Sequence, residues 1–179
     1  MRFNNFNNKK KEGFTLIELT VYVALLGVIS VFMANSLIQI LSTYQQARAE
    51  REVISNSRLL METITKNISS AQEVYAPTSR FNTDLGQLSL ITAIDPTAEH
   101  TTAYIDFWTD GGQLLMRAEG HATTTLSSAS VQINKFRLEH LFQGLGREAV
   151  KITLGVIYGT APYAASTTLN STTALRGNY

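Results

Sequence analysis

FTLIELTVYVALLGVISVFMANSLIQIL, residues 14–41, is the stretch on which the fold turns. It is apolar on nearly every side. Glu18 is its only charge, and the next charged residue is Arg48. A run of about 20 apolar residues is enough to cross a bilayer as a helix. The thirteen residues before it, MRFNNFNNKKKEG, are polar, Asn-rich and basic, with Arg2, Lys9, Lys10 and Lys11 opposed only by Glu12. They show no apolar periodicity and read as a disordered leader. Positive charge just ahead of the span predicts a cytoplasmic N-terminus and an exported remainder.

The helix is predicted to continue past Ser42 with a changed character. Ala47, Ile54, Leu60, Met61, Ile64, Ile68, Ala71 and Tyr75 recur at three- and four-residue spacings, and Arg48, Glu52, Arg58, Glu62 and Lys66 fall between them. No proline or glycine interrupts the chain from Val28 to Ala76, and Pro77 is the expected stop. One long helix follows, apolar all round in its first half and amphipathic in its second.

Beyond Pro77 the period becomes two. QLSLITAI (87–94) and AYIDFWT (103–109) read as strands. Asp110-Gly111-Gly112 is a turn signal followed by QLLMRAE (113–119), so 103–119 predicts a β-hairpin. HATTTLSSAS (121–130) reads as a polar loop, and VQINKFRLEHLF (131–142) as an imperfect strand with a bulge near Lys135. Gly144 and Gly146 mark a turn, and AVKITLGVIY (149–158) alternates cleanly. From Gly159 the chain is rich in Thr, Ala and Ser and reads as a polar tail, in part mobile. A single antiparallel sheet wrapped on the amphipathic half-helix would bury both apolar faces.

Lys9-Lys10-Lys11-Glu12-Gly13-Phe14-Thr15-Leu16-Ile17-Glu18 resembles the processing site of type IV prepilins and type II secretion pseudopilins. In that family a basic leader ends in Gly, the mature chain begins with Phe, and a Glu follows four residues later. Gly13, Phe14 and Glu18 stand at those places, and the likeness covers roughly the first third of the chain. It implies cleavage between Gly13 and Phe14, N-methylation of Phe14, and Glu18 as the carboxylate used in subunit assembly. The chemistry is consistent. Glycine leaves room where a protease holds extended backbone against its own. Cutting frees an α-amine on Phe14, and such amines titrate near ~8, so it is positive at neutral pH. Glu18 then lies one helical turn away in an apolar medium, where a lone carboxylate costs on the order of a few kcal/mol and seeks a partner. The amine of a neighbouring subunit can supply one, and methylation leaves that amine charged.

Within the family, many major pilins carry a proline midway along the apolar helix. The matching position here is Asn35, which leans towards a minor subunit. The ending Thr172-Thr173-Ala174-Leu175-Arg176-Gly177-Asn178 loosely resembles that of minor pseudopilins, one residue short and with a glycine intervening. An ordinary secretory signal fits badly, because the apolar run is too long and Phe32-Met33-Ala34 is not a small-x-small site.

Composition narrows the function classes. The 179 residues include no cysteine, which removes disulfides, thiolate metal sites and thiol nucleophiles. A net charge of +1, concentrated in the leader, gives no basic surface for nucleic acid. His100, His121 and His140 are far apart and lack the i, i+4 spacing of a helical zinc site. Asp106 and Asp110 flank an aromatic strand, and the DGG turn explains the second. Gly144-Leu145-Gly146-Arg147 is too short for a phosphate cradle. The sequons at Asn67-Ile68-Ser69 and Asn170-Ser171-Thr172 carry little meaning in a bacterial-type protein. Tyr104, Phe107 and Trp108 could form a platform, but alternation sends Phe107 and Trp108 to opposite faces.

The expectation is therefore an α+β, pilin-like chain whose long N-terminal helix packs against an antiparallel sheet. Residues 1–13 would be a cleaved cytoplasmic leader and 14–41 a transmembrane and filament-core helix. Residues 42–76 would be its exported amphipathic half, and 77–179 a β-rich domain with a polar C-terminal tail. No catalysis, cofactor or metal is expected. The resemblance implies as partners other pilin or pseudopilin subunits through the N-terminal helix, the prepilin peptidase and methyltransferase, the inner-membrane assembly platform, and lipid before assembly. Nucleic acid enters only if the chain serves a DNA-uptake pseudopilus. A membrane-anchored surface-binding domain that never polymerises is the rival from another class.

Overall fold

The computed structural model describes residues 13–92, 102–143, 147–159 and 162–176. The basic leader with Lys9, Lys10 and Lys11, His100, and the Gly144–Gly146 turn lie outside the described residues. Among the described residues, one helix, α1 (Leu16–Ser70), is followed by eight strands: β1 (Glu73–Val74), β2 (Gln87–Thr92), β3 (Ala103–Asp110), β4 (Gln113–Ala118), β5 (Thr124–Thr125), β6 (Val131–Gln143), β7 (Arg147–Tyr158) and β8 (Ala165–Ala174). The layout is the α+β, pilin-like one, a long N-terminal helix followed by antiparallel sheets. The chain divides into two compact units, residues 1–43 and 44–179.

In the first unit, α1 is bare. Every described residue from Gly13 to Leu41 is exposed, including Leu16, Phe32 and Ile38. Burying one large apolar side chain is worth about 1.5–3 kcal/mol. A helix leaving some twenty of them in water would be strongly disfavoured, so this surface is built for lipid or for other helices. Two of its hydroxyls are satisfied by the helix itself. Thr20 donates to the Ile17 carbonyl (2.8 Å) and Ser30 to the Leu26 carbonyl (2.8 Å), which removes most of their cost in an apolar medium.

In the second unit, Ala49, Val53, Ser57, Leu60, Met61, Ile64 and Ile68 form the buried stripe of α1. The spacing is helical, as expected, but its upper part is rotated from the predicted one. Ala47 is only half-buried and Ile54 is 44% exposed, while Ala49, Val53 and Ser57 point inward. Ser57 hides the stripe from a hydropathy reading. Its hydroxyl donates to the Val53 carbonyl (2.6 Å), so a polar residue sits in the core without an unmet hydrogen bond.

The helix ends at Ser70, well before the predicted stop at Pro77. Ala71 N still donates back to the Asn67 carbonyl (3.0 Å), but Gln72 N turns to the Ile91 carbonyl (2.8 Å), and Glu73–Val74 pair with β2. Sheet pairing captures the backbone before proline can act on it.

The strands form two sheets rather than the predicted one: a five-stranded sheet, β1-β2-β3-β4-β5, and a three-stranded sheet, β6-β7-β8, all antiparallel. The division arises after β4. Only Thr124–Thr125 pair there, Ser127 Oγ accepts the Leu114 amide (3.0 Å), and the chain departs to begin β6. The sheets remain joined by the Ile133 N–Gly112 O bond (2.7 Å) and a Leu85–Phe136 bridge. Leu88, Leu90, Ile105, Phe107 and Leu114 from one sheet, and Phe136, Leu138, Ile152 and Leu154 from the other, share a core with the α1 stripe.

The hairpin forms where predicted. Asp110 faces Gln113, and Gly111 (φ 56°) and Gly112 (φ 77°) take the left-handed conformations of a two-residue turn that matches strand twist. The bulge near Lys135 is present between Ile133 and Lys135. The tail reading is corrected over Ala165–Ala174, which form β8: threonine and serine suit a half-exposed strand, and ten residues pair with β7.

Two outcomes follow. A fragment of residues 42–179 is expected to be soluble and monomeric, with both helix and strand in its circular dichroism. A purely helical or unfolded spectrum would contradict the second unit as a folding unit. In that fragment, Gly155→Ala is expected to lower stability by about 1–3 kcal/mol in urea titration. A Cβ there would overlap the Asn134 side-chain oxygen and lie 2.9 Å from Lys135 Cβ, both fixed by the bulge. An unchanged midpoint would show that the bulge yields.

Candidate functional site: the N-terminal segment

The beginning of α1 is set by Thr15. Its hydroxyl accepts the Glu18 amide (3.3 Å), and its carbonyl accepts the Leu19 amide (3.2 Å), the geometry of an N-cap. Thr15-Leu16-Ile17-Glu18 is also the T-x-x-E signature of a capping box, a signal legible in the sequence that the expectations above did not use. Glu18 thus sits in the first turn, where the helix dipole favours negative charge. Its carboxylate is exposed and has no ion-pair partner among the described residues.

Phe14 lies just outside the helix and is 75% exposed. Its ring meets Tyr22 edge-on, with centroids 6.0 Å apart. Gly13 precedes it in non-helical backbone. A Cβ built there meets nothing within 4 Å among the described residues. Packing among the described residues therefore does not require glycine at this position. Gly13, Phe14 and Glu18 fall together at one helix start, followed by a bare apolar helix.

Residues 8–34 match the family model described as the prokaryotic N-terminal methylation motif. The chain carries a prepilin-type cleavage and methylation segment. No curated protein and no solved structure matches the chain. The segment supports a precursor of the type IV pilin or pseudopilin type. With the long apolar N-terminal helix it fits a single-pass, membrane-anchored protein. It also suggests, in general terms, interaction with other pilin subunits and a prepilin peptidase.

The remaining sequence candidates are dispersed. His121 Nδ1 lies 3.1 Å from the Glu119 carbonyl on the surface. His140 lies between the Phe81 and Phe142 rings, with Nε2 3.4 Å from Glu148. That distance suits an ion pair when the ring is protonated, but the angles do not make a hydrogen bond. Asp106 accepts from Ser89 Oγ (2.6 Å) and pairs with Arg117 (3.2 Å), so it is held inside the sheet's own network. Phe107 is fully buried and Trp108 half-exposed, as alternation requires. A cleft of about 560 Å³ gathers Tyr75, Tyr104, Arg117, Glu119 and His121. The sequence reading missed it, since Tyr75 comes from the helix exit and the others from β3, β4 and the turn beyond.

Proposed function

We propose that this chain is a minor subunit of a type IV pilus or type II secretion pseudopilus. It would be cut between Gly13 and Phe14, N-methylated on Phe14, and assembled through its N-terminal helix. The observation that carries the proposal is Gly13: a glycine that packing among the described residues does not require, at the junction of a basic leader and a bare apolar helix. The requirement must then lie with another molecule, and a protease that grips extended backbone supplies it. Phe14 opens the mature chain, and its new amine meets Glu18 of a neighbour. Lys9, Lys10 and Lys11 hold the leader on the cytoplasmic side, where the peptidase and assembly platform act. The absence of a proline at Asn35 supports a minor subunit.

The test is mass spectrometry of the membrane-extracted protein from a host with an active prepilin peptidase. The expected N-terminus is Phe14 bearing methyl mass. A chain that keeps its leader there would instead be a simple anchored domain, and the filament proposal would fail.

A further inference from the structure

β8 has an open edge. Leu175 N donates to the Glu148 carbonyl (3.0 Å), while Arg176 N donates away from β7, to the Ala71 carbonyl (3.1 Å). Alternation along an antiparallel strand then fixes the rest. Odd-numbered amides of β8 serve β7. The N–H and C=O groups of Ser166, Thr168, Asn170, Thr172 and Ala174 face outward. All five residues are exposed, and none of their amides has a backbone partner among the described residues.

The other sheet edges are short or covered over much of their length. β1 and β5 are two residues long. β6 is covered from Ile133 to Leu138 by four main-chain bonds: Ile133 N–Gly112 O, Phe136 N–Asp84 O, Gly86 N–Phe136 O and Asn82 N–Leu138 O. β8 has none of the devices that blunt an edge: it is ten residues long, with no charge, no proline and no bulge. At its start lies a cavity of about 350 Å³ between Val53 and Ile54 of α1 and Ala165 of β8, with Ile54 exposed on its wall.

We infer that β8 is a docking edge for an extended segment of another protein, which adds as a fourth strand beside β8 and seats an apolar side chain against Ile54 and Ala165. Only an extended backbone matches donors and acceptors repeating every second residue, and the cavity supplies the side-chain pocket that such recognition uses. A second copy of this chain fits poorly. β8 runs the same way as the second part of α1, since Ala165 lies by residues 46–54 and Arg176 by Ala71. A closed pair of identical edges is two-fold related and antiparallel, so the partner's helix would be reversed. β8 also has no free apolar side chain to seat in the cavity, since its one large apolar residue, Leu169, packs on its own core. The inference does not depend on whether the chain polymerises.

The test is amide hydrogen exchange on the full chain, resolved to single residues, in native envelope membranes and in purified form in detergent. In membranes, the amides of Ser166, Thr168, Asn170, Thr172 and Ala174 are expected to slow by about tenfold or more relative to detergent. The Leu169 and Ser171 amides, bonded to β7, should be protected in both. Thr168→Pro removes only an outward N–H, which an edge strand tolerates, and should abolish the slowing while leaving Leu169 and Ser171 protected. Equal exchange in both settings would overturn the inference, as would unchanged slowing in Thr168→Pro. Slowing that appears in the purified chain alone and grows with its concentration would mean pairing with a second copy, and would overturn it too.

Discussion

Gly13→Val is expected to leave the chain inserted in the membrane, full length and unmethylated, with processing reduced by about 100-fold or more. Nothing among the described residues opposes the substitution, because α1 begins at Leu16 and none of them lies within 4 Å of a Cβ at residue 13. The whole effect should fall on recognition by the peptidase. A β-branched side chain stiffens the backbone and fills the space that a protease needs to hold an extended strand at its scissile bond. Displacement of a reacting bond by about 1 Å is enough for a loss near 100-fold. Gly13→Ala, with one methyl and no branch, should be cut at an intermediate rate. Pulse-labelled protein, separated into leader-bearing and mature forms, gives the ratio directly. A Gly13→Val chain processed like the parent would mean that the cut lies elsewhere, and the roles of Gly13 and Phe14 would have to be withdrawn.

Much of this was legible in the residues themselves. The span, the junction and the hairpin are written in signals that act locally: an apolar run, a basic flank, a DGG turn. These need no tertiary knowledge, so the chain can be read there without its partners. The misreadings share the opposite property. Pro77 is a local stop signal, but the helix ended at Ser70 because the Ile91 carbonyl was waiting for the Gln72 amide. Ile54 looks like a core residue by period, yet Ser57 fills the stripe because its hydroxyl could be satisfied by its own helix. ASTTLNSTTA looks like a tail because it has almost no large apolar residue, and becomes β8 because β7 offers ten consecutive partners. The division into two sheets depends on how β6 meets the β4 turn, a pairing between stretches that no periodicity connects. At the candidate site the T-x-x-E spacing that makes Thr15 the helix cap was also legible, being local, while the actual bond from the Glu18 amide is seen only in the geometry.

Glu18→Leu is expected to be cut, methylated and inserted normally, yet to enter filaments at least about tenfold less well than the parent. Cutting should survive because the substitution is a full turn from the Gly13–Phe14 bond. Insertion should become easier, since leucine is favoured over an acidic residue in a membrane helix by a few kcal/mol. The helix start should persist as well. Thr15 caps the backbone amide of residue 18, not its side chain, so that bond remains with leucine present. The dipole contribution lost with the carboxylate is about 0.3–1 kcal/mol. What is lost, under the proposed function, is the partner of the Phe14 amine on an adjacent subunit. Left unpaired in an apolar filament core, that charge costs several kcal/mol, and 1.4 kcal/mol is already tenfold in an equilibrium. The charge term therefore outweighs the dipole term. Two comparisons separate them. Glu18→Asp keeps the carboxylate with one methylene less reach and should retain partial assembly. Thr15→Ala removes the cap, at a cost of about 1 kcal/mol, and leaves the charge pair untouched, so it should assemble better than Glu18→Leu. The measurement is the ratio of mature protein in sheared filaments or pseudopili to that left in the membrane. If Glu18→Leu assembles like the parent, Glu18 serves only the helix start, the amine–carboxylate pairing fails for this subunit, and a place at the filament tip, where no subunit lies beyond it, becomes the reading that fits.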